Sequence, residues 1–411
     1  MDRVLAGARL PDGSLADIAI VGGRIAADGA GLPREDLRGG MVWPGFVDVH
    51  THLDKGHVWP RAQNPDGGFA GALAAMAADR LANWTDADVR ARFEFGLRCA
   101  YAHGTVAIRT HIDSLAPLYK TSWPIFADLR AQWAGRIALQ GAAIVGLPLL
   151  DDAVYATDLA GTLKRHGGIM GGVIHPMPDL ERRIDNLLRL CLAHDLQLDV
   201  HIDETLDEGA RSLPLLATAA IRLGYPHPIT VGHCCSLAMQ EPGEIARTID
   251  LMLRARMQVV SLPMCNLYLQ DRSAGRTPRR RGVTLLHELK SAGLPVAVAS
   301  DNCRDAFYAY GDHDLLEVFR EAVRIAHLDH PFGDWHPSVT ATPADIMGVK
   351  AGRIEIGAQA DLVLFKARNI NELLSRPQAD RRVLRAGTPI DTTLPDYAEL
   401  DGLVGVRGGS G

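Results

Sequence analysis

Residues 46–52 read Phe46-Val47-Asp48-Val49-His50-Thr51-His52, a short apolar run that ends in two histidines. Side chains two apart on a strand point the same way, so this stretch predicts a buried strand with two imidazoles facing one side. Two imidazoles in that arrangement can bind one metal ion. Because the chain holds 16 histidines in 411 residues, the pair alone is weak evidence, and the downstream sequence decides its meaning.

Between residues 45 and 345 the chain repeats a short apolar run, a polar stop and a longer segment of helical character. Eight strands that alternate with helices predict parallel βα units, and one closed, TIM-like (β/α)8 barrel is the most economical arrangement. In one intervening helix, Thr85 is the expected N-cap, Asp88 completes a capping-box-like spacing, and Gly104 is the expected end. The predicted strands span residues 46–49, 105–110, 137–145, 169–174, 196–200, 229–231, 258–262 and 295–299.

Short segments of alternating apolar and polar residues occur at both ends of the chain, for example at residues 17–21 and 361–365. Turn signals such as Asp12-Gly13 separate them, as is typical of a small β domain. We therefore expect residues 1–44 and 346–411 to build one composite β domain, with the barrel inserted between its halves.

The composition favours a soluble protein that acts on small molecules. Hydrophobic residues make up 47% of the chain, and the net charge of −6 offers no attraction for nucleic acid or an anionic membrane. The six cysteines show no C-x-x-C spacing, and neither a secretion signal nor a long apolar run is apparent. A cytoplasmic location is expected, with a heterocyclic small molecule as partner and homo-oligomerisation left open.

Metal-binding side chains follow several predicted strands. In a parallel barrel the carboxyl ends of the strands meet at one rim, where the active site lies. His50, His52, His201 and Asp301 come at the ends of the first, fifth and eighth strands. Three imidazoles and one carboxylate suit one divalent cation that keeps a position for water, and Asp301 is also expected to accept a proton.

Two further residues are candidates for the chemistry itself. Glu204 follows His201 by three residues and is expected to move a proton from water to a leaving group. His233 ends the sixth strand and is expected to polarise the water or stabilise a tetrahedral oxyanion. His111 and His175 also end strands, and pocket or supporting roles are expected for them.

Taken together, seven segments resemble the amidohydrolase superfamily, and its cytosine deaminase branch is the most similar. The resemblance implies a distorted (β/α)8 barrel with a small β-sandwich built from both termini, and one catalytic ion, zinc or iron. It also implies that His50, His52, His201 and Asp301 bind the metal, that Glu204 shuttles protons and that His233 assists the attacking water. The segments are residues 44–55, 109–113, 201–204, 233, 266–270, 280–284 and 300–301.

The sequence departs from the cytosine deaminase pattern where substrate is selected. Leu149 stands where that branch has a glutamine, Asn302 where it has an acidic residue, and Phe307 where it has a tryptophan. These three residues and Lys55 are the predicted substrate-binding residues, and the loss of the amide makes cytosine an unexpected substrate. Two-metal relatives place a lysine at the end of the fourth strand, where this chain has His175, so one metal is expected.

The sequence therefore predicts a metal-dependent hydrolase that releases ammonia from a small aminated N-heterocycle. One alternative is a cyclic-amide or N-alkylamine amidohydrolase on the same scaffold, because the same activated water can open a ring or expel an alkylamine. A more distant alternative is a barrel protein without catalytic activity. Product analysis and metal content distinguish the three.

Overall fold

The structure is a computed structural model that describes residues 2–331 and 334–405. Long strands occupy the middle of the chain, and shorter sheets are formed by its two ends. Numbered along the chain, the strands are β1 (Arg3–Arg9), β2 (Leu15–Val21), β3 (Arg24–Ala26), β4 (Arg34–Asp36), β5 (Val42–Pro44), β6 (Phe46–Thr51), β7 (Thr105–Asp113), β8 (Ala138–Ile144), β9 (Met170–Ile174), β10 (Leu198–Ile202), β11 (Ile229–His233), β12 (Met257–Ser261), β13 (Val296–Val298), β14 (Leu362–Leu364), β15 (Arg382–Arg385) and β16 (Thr388–Pro389).

Helices separate the strands of the middle segment. None of the described helices combines the length and the apolar character that a bilayer span requires. The helices are α1 (Phe69–Asn83), α2 (Asp86–His103), α3 (Tyr119–Gln132), α4 (Ala153–His166), α5 (Leu180–His194), α6 (Ser212–Leu223), α7 (Pro242–Arg254), α8 (Pro263–Leu269), α9 (Leu286–Ser291), α10 (Leu315–Ala326), α11 (Ala341–Met347), α12 (Ile370–Ser375) and α13 (Asp401–Val404). Short 3-10 helices span Leu147–Asp151, Cys235–Met239, His336–Val339 and Tyr397–Leu400.

The middle strands run parallel in two hydrogen-bonded sheets, β6-β7-β8 and β9 to β13, each in sequence order. Isolated parallel bridges link the two sheets on both sides. Ala142 pairs with Ile169 between β8 and β9, and Thr51 pairs with Asp301 between β6 and the residues after β13. The predicted α/β class with parallel strands is confirmed.

The ends of the chain form two further sheets, with strand orders β3-β2-β1-β4 and β16-β15-β14-β5. β5 pairs antiparallel with β14, so that Trp43 lies opposite Val363. Apolar side chains of both sheets share one buried cluster, which includes Leu5 and Ile20 from the first sheet and Leu362 and Leu384 from the second. Segments that are more than 300 residues apart in sequence therefore fold together. This is the arrangement expected when one domain is inserted between the two halves of another.

The predicted strand positions agree with the structure, but several strands continue further than the sequence indicates. His201 lies inside β10, and His233 is the last residue of β11. Likewise, β7 extends through His111 to Asp113. The strands continue because the backbone stays paired with its neighbours, as His201 does with Gly232, and polar side chains do not end a strand whose ladder is complete.

The predicted helix at residues 85–103 is confirmed as α2. The Thr85 side chain accepts a hydrogen bond from the Asp88 backbone N–H, as an N-cap does. Gly104 follows the last turn with φ of 102°, a left-handed conformation that glycine adopts without a steric penalty, and its N–H reaches carbonyls of that turn.

Side chains of β6 alternate between an outer face and an inner face. Val47 and Val49 belong to an apolar cluster with Ala344 of α11, on the outer face of the strand. Asp48 and His50 alternate with them and are also buried, so they face the interior that the parallel strands enclose. A strand buried on both faces therefore carries its metal-binding side chains inward.

Packing between β8, β9 and β10 gives a test of the fold. A Cβ added at Gly171 in β9 would lie 2.1 Å from the Ala143 carbonyl oxygen and 2.5 Å from that of Asp199. Gly171→Ala should therefore force backbone atoms apart and lower the free energy of unfolding by roughly 1–3 kcal/mol or more.

The matched control is Gly161→Ala in α4, where the nearest atom to an added Cβ is an Arg165 guanidinium nitrogen at 3.7 Å. Alanine in a helix interior should raise stability there by roughly 0.5–1 kcal/mol. Urea denaturation midpoints measure both changes. Equal midpoints for the two variants would show that the close contact at Gly171 is not a constraint.

Candidate active site

Four side chains converge where β6 and β10 end and where the chain leaves β13. Nε2 of His201 lies 3.1 Å from Nε2 of His50 and 3.3 Å from Nε2 of His52. Oδ1 of Asp301 lies 3.2 Å from Nε2 of His52 and 3.6 Å from Nε2 of His50. Ligands at about 2.0–2.1 Å from one tetrahedral ion are about 3.3–3.4 Å apart, so these spacings match a single metal centre.

The charge state of this cluster also fits a cation. Burial lowers the pKa of His50, His52 and His201 well below the usual range, which keeps the imidazoles neutral and able to bind a metal. Burial raises the pKa of Asp301 to about 7, and neither of its carboxylate oxygens has a hydrogen-bond partner among the described residues. A divalent cation would supply the missing partner, so the residues present fit such an ion.

Backbone and side-chain contacts hold Asp301 against β6. Its backbone N–H donates to the carbonyl of His50 at 2.9 Å, and the Thr51 hydroxyl donates to the Asp301 carbonyl at 2.9 Å. The Ser300 hydroxyl donates to the buried carboxylate of Asp48. These bonds fix Asp301, the predicted ligand after β13, relative to the two predicted ligands His50 and His52.

Gly232 in β11 leaves room for the His50 ring. A Cβ at this position would lie 2.9 Å from Cε1 and 3.1 Å from Nδ1 of His50. Any larger residue would displace the imidazole, because both contacts are shorter than side-chain carbons normally make. The requirement for glycine here is therefore one of space around a ligand.

Glu204, His233 and Asn266 form a second group beside the cluster. The Asn266 side-chain Nδ2 donates to Oε1 of Glu204 at 3.2 Å and lies 3.0 Å from Nδ1 of His233. Nδ1 of His233 is 3.4 Å from the same Glu204 oxygen. Burial raises the pKa of Glu204 well above its usual range, and the nearby carboxylate of Asp301 raises it further.

The contact with Asn266 determines which nitrogen of His233 carries the proton. Burial lowers the pKa of His233 to about 3, so the ring is neutral and has one N–H. When the Asn266 amide donates to it, Nδ1 accepts and the ring hydrogen lies on Nε2. Nε2 is buried without a partner among the described residues and belongs to a group of ligand atoms with His50, His201 and Asp301, all within 4.8 Å of one another. His233 therefore presents a donor to the centre.

His111 lies behind the cluster, on β7. Its ring packs against that of His50, with centroids 3.9 Å apart and the planes inclined by 38°, and its Nε2 is 3.2 Å from Oδ1 of Asp199. Asp199 in turn accepts a hydrogen bond from Arg109 at 2.8 Å. This buried network supports His50 from one side, which agrees with the supporting role expected for His111.

The predicted substrate-binding residues occupy different surroundings. Lys55 is buried, with its Nζ 4.8 Å from the centre of the Phe307 ring. Asn302 is also buried, but its amide donates to Asp305 at 2.6 Å and its oxygen accepts from the Cys265 thiol. Leu149 lies in the 3-10 helix Leu147–Asp151 and is 44% exposed.

Two other polar residues near strand ends, Asp203 and His175, lie outside the group of four side chains. The carboxylate of Asp203 accepts from the backbone N–H groups of Ser212 and Leu213 and so satisfies the start of α6. His175 is exposed at the end of β9.

Comparisons with known proteins bear on this arrangement. A model described as the amidohydrolase family matches residues 35–118 and 146–394. The chain belongs to the amidohydrolase family. The resemblance inferred from sequence is thereby confirmed, and so is the prediction of a hydrolase that acts on carbon–nitrogen bonds.

Two curated amidohydrolases show how far the similarity extends. A pterin deaminase from Rhizobium rhizogenes is 54% identical over 395 residues, which cover 96% of this chain and 90% of that protein. An N-isopropylammelide isopropyl amidohydrolase from Pseudomonas sp. (strain ADP) is 25% identical over 86% of this chain and 88% of that protein. The prediction of hydrolytic deamination agrees with the first of these.

A solved structure shows the same fold. 5-Methylcytosine deaminase from Klebsiella pneumoniae, bound to 5-fluorocytosine, matches with a TM-score of 0.82 at 23% identity. The match covers 96% of this chain and 98% of that one. The shared fold supports the predicted similarity in architecture to deaminases of the cytosine type.

Sequence reasoning gave no site role to Asn266 or Asp305. In the sequence, Asn266 is only the first residue of the segment 266–270 that carries part of the family resemblance. That its amide reaches both Glu204 and His233 is visible only in three dimensions. Asp305 is fully buried and accepts hydrogen bonds from Asn302 and from the backbone of Phe307. It organises the loop that follows Asp301.

Substitution of one predicted ligand should remove the metal ion without unfolding the protein. We expect His201→Ala to reduce the bound metal by about one equivalent, because three ligands hold a cation more weakly than four. Metal analysis of the purified protein measures this. His175→Ala is the matched control, since His175 also ends a strand but is exposed, and it should retain the metal. Equal metal contents in both variants would contradict the ligand assignment.

Proposed function

We propose that this amidohydrolase catalyses the hydrolytic deamination of a pterin, replacing the ring amino group by oxygen and releasing ammonia. The observation that carries the proposal is the 54% identity to a pterin deaminase across 96% of the chain. The group formed by the four ligands, Glu204 and His233 supports it, because it contains each part that hydrolysis of an aminated ring requires.

The proposed cofactor is one divalent ion, zinc or iron, held by His50, His52, His201 and Asp301. When bound, such an ion acts as a Lewis acid and lowers the pKa of a water molecule towards about 7. The protein contributes the position of that water relative to the substrate and the groups that move its protons.

Glu204 is the proposed proton carrier. As a carboxylate it takes one proton from the attacking water and delivers it to the ring nitrogen next to the amino-bearing carbon. Asp301 transfers the second water proton to the amino group, which leaves as ammonia. The ring carbon gains an oxygen and loses a nitrogen, and the ring nitrogen keeps one proton, so atoms and charges balance.

His233 is proposed to stabilise the oxygen as it adds to the ring. Its Nε2–H, set by the acceptor role of Nδ1 towards Asn266, is directed to the cluster of ligand atoms. A fixed donor in a buried site stabilises a developing negative charge without reorganisation.

Lys55, Asn302, Phe307 and Leu149 are proposed to bind the substrate. Phe307 offers an apolar ring next to the Lys55 ammonium, and a flat heterocycle can pack on such a pair. Leu149 is proposed to contact the rim of the substrate. The loop geometry set by Asp305 would hold Asn302 and Phe307 in place.

The architecture and setting are part of the proposal. The parallel strands and the bridges at both seams support a closed (β/α)8 barrel over residues 45–345. The paired sheets of the two ends support a β-sandwich of residues 1–44 and 346–411, of which 406–411 lie outside the described residues.

A cytoplasmic location is also part of the proposal. The six cysteines of the chain are buried and form no disulfide bond, which supports this location. The net charge of −6 supports a small-molecule partner rather than nucleic acid or a membrane.

The decisive experiment measures ammonia release from pterin by the purified, metal-loaded protein, with identification of the ring product. Stoichiometric ammonia and the deaminated ring are expected. Release of an alkylamine from an N-alkylated triazine, or ring opening of a cyclic amide without ammonia, would support the alternative instead. Absence of all three activities in a metal-containing sample would contradict the proposal.

Substitution of the proton carrier should stop turnover without loss of metal. We expect Glu204→Gln to lower kcat by about 10²–10⁴-fold, because the amide cannot accept the water proton. Metal content should stay unchanged, since Glu204 is not a proposed ligand. Glu208→Gln, on the exposed part of the same loop, serves as the control and should keep normal activity. Ordinary kcat in Glu204→Gln would remove Glu204 from this role.

The tautomer of His233 can be tested through Asn266. In Asn266→Asp the new carboxylate would accept a hydrogen bond from Nδ1–H. The ring hydrogen would then lie on Nδ1, and Nε2 would no longer be a donor to the substrate. We expect kcat to fall by about 10²-fold or more with metal retained. Gln270→Glu changes a neighbouring amide that donates to the backbone carbonyl of Glu204, and it should have a much smaller effect on kcat. Equal effects of the two changes would argue for general electrostatics instead.

A further inference from the structure

A second group of metal-binding side chains lies outside the active site. His57 is in the segment that follows β6, and Cys303 and His313 are in the loop between β13 and α10. Their exposed fractions are 2%, 1% and 2%, and one ligand atom from each lies within 4.8 Å of the others. None of the steps proposed for deamination uses these residues.

Three of the four imidazole nitrogens of this group lack hydrogen-bond partners within the described part of the chain. Neither Nδ1 nor Nε2 of His57, nor Nε2 of His313, has a hydrogen-bond partner among the described residues. A buried polar nitrogen without a partner destabilises the folded protein, so three such atoms in one place indicate a missing ligand.

The tautomer of His313 is suited to metal binding. The Thr51 hydroxyl donates its hydrogen to the Asp301 carbonyl, so towards Nδ1 of His313, 3.4 Å away, it can only accept. Nδ1 therefore carries the hydrogen, and Nε2 has a free lone pair. Metal-binding histidines usually have this arrangement, with one nitrogen donating to a neighbour and the other on the metal.

We propose that His57, Cys303 and His313 form a second metal site for a borderline-soft divalent cation such as Zn²⁺. One thiolate and two imidazoles are a ligand set that zinc accepts, and the fourth position is left to water. On binding, the Cys303 thiol loses its proton to solvent. Side-chain movements of roughly 1 Å close the present spacings to those of a tetrahedral centre.

The site joins the two segments that frame the active site. The backbone N–H of His57 donates to the backbone carbonyl of Cys303 at 3.0 Å, so a backbone hydrogen bond already links these segments. His313 contacts Thr51, which lies between two ligands of the first centre. An ion here is therefore structural, holding the segments that carry His52 and Asp301 without contacting substrate.

Cobalt substitution gives a selective test. The ligand set of the active site contains no sulfur, so a thiolate-to-cobalt charge-transfer band reports a different site. We expect the full-length protein, refolded with Co²⁺, to bind about two equivalents and to show this band. One equivalent without the band would overturn the proposal.

Three single cysteine variants assign the band. Cys303→Ser should abolish it and reduce the cobalt content by about one equivalent. Cys99→Ser should leave it unchanged, although Cys99 is also buried and neighbours Asp312. Cys265→Ser is needed because the Cys265 thiol groups with Glu204 and Asp301. A band that disappears in Cys265→Ser but persists in Cys303→Ser would place the thiolate in the active site and overturn the proposal.

Two histidine variants keep the test decisive if Cys303→Ser does not fold. His57→Gln and His313→Gln each remove one ligand at the same centre, and each should weaken or abolish the band. Circular dichroism verifies the fold of each variant. Full band intensity in both would contradict the proposed ligand set, whatever the behaviour of the serine variant.

Discussion

The buried carboxylate of Asp301, facing three neutral imidazoles, is the constraint on which the rest of this structure depends. An ionised group without a partner is costly in a protein interior, by several kcal/mol even after relaxation. Burial raises the pKa of Asp301 to about 7 and outweighs the Lys55 ammonium, the cation among the described residues that lowers that pKa. Both carboxylate oxygens lack a hydrogen-bond partner among the described residues. A divalent cation would offset the cost of burying this charge, at the point where the parallel strands bring the four side chains together.

Glu204 and His233, the groups proposed to carry a proton and to stabilise an oxyanion, are linked through Asn266. Its Nδ2 donates to Glu204 and lies 3.0 Å from Nδ1 of His233. The amide therefore positions the carboxylate and, as a donor to Nδ1, would place the imidazole hydrogen on Nε2. A carboxylate that accepts protons and an N–H that stabilises an oxyanion need opposite electrostatic surroundings. One neutral amide satisfies both, whereas a charged residue at this position would favour one at the expense of the other.

The sequence was most informative where local pattern and chemistry coincide. The His50 and His52 pair could be predicted, because alternation along a strand fixes the direction of both side chains. The cap at Thr85 followed equally from local rules. Strand ends were less predictable, because His201 and His233 are polar and their strands continue through ladder pairing with distant neighbours. The role of Asn266 was not predictable, since it depends on contacts across 62 and 33 residues of sequence.

Chemistry and specificity are carried by different parts of this site, and this explains why the first could be predicted better than the second. The ligands, Glu204 and His233 lie on or directly after strands, where the ladder fixes their position. The residues proposed to contact substrate lie in loops and short helices. There, a polar side chain can turn inward, as Asn302 does towards Asp305. An amide used in this way stabilises the loop and does not hydrogen-bond to the edge of a substrate ring. Residue type alone therefore does not reveal the substrate. In loops of this kind, the shape of the pocket follows from internal hydrogen bonds that the sequence does not display.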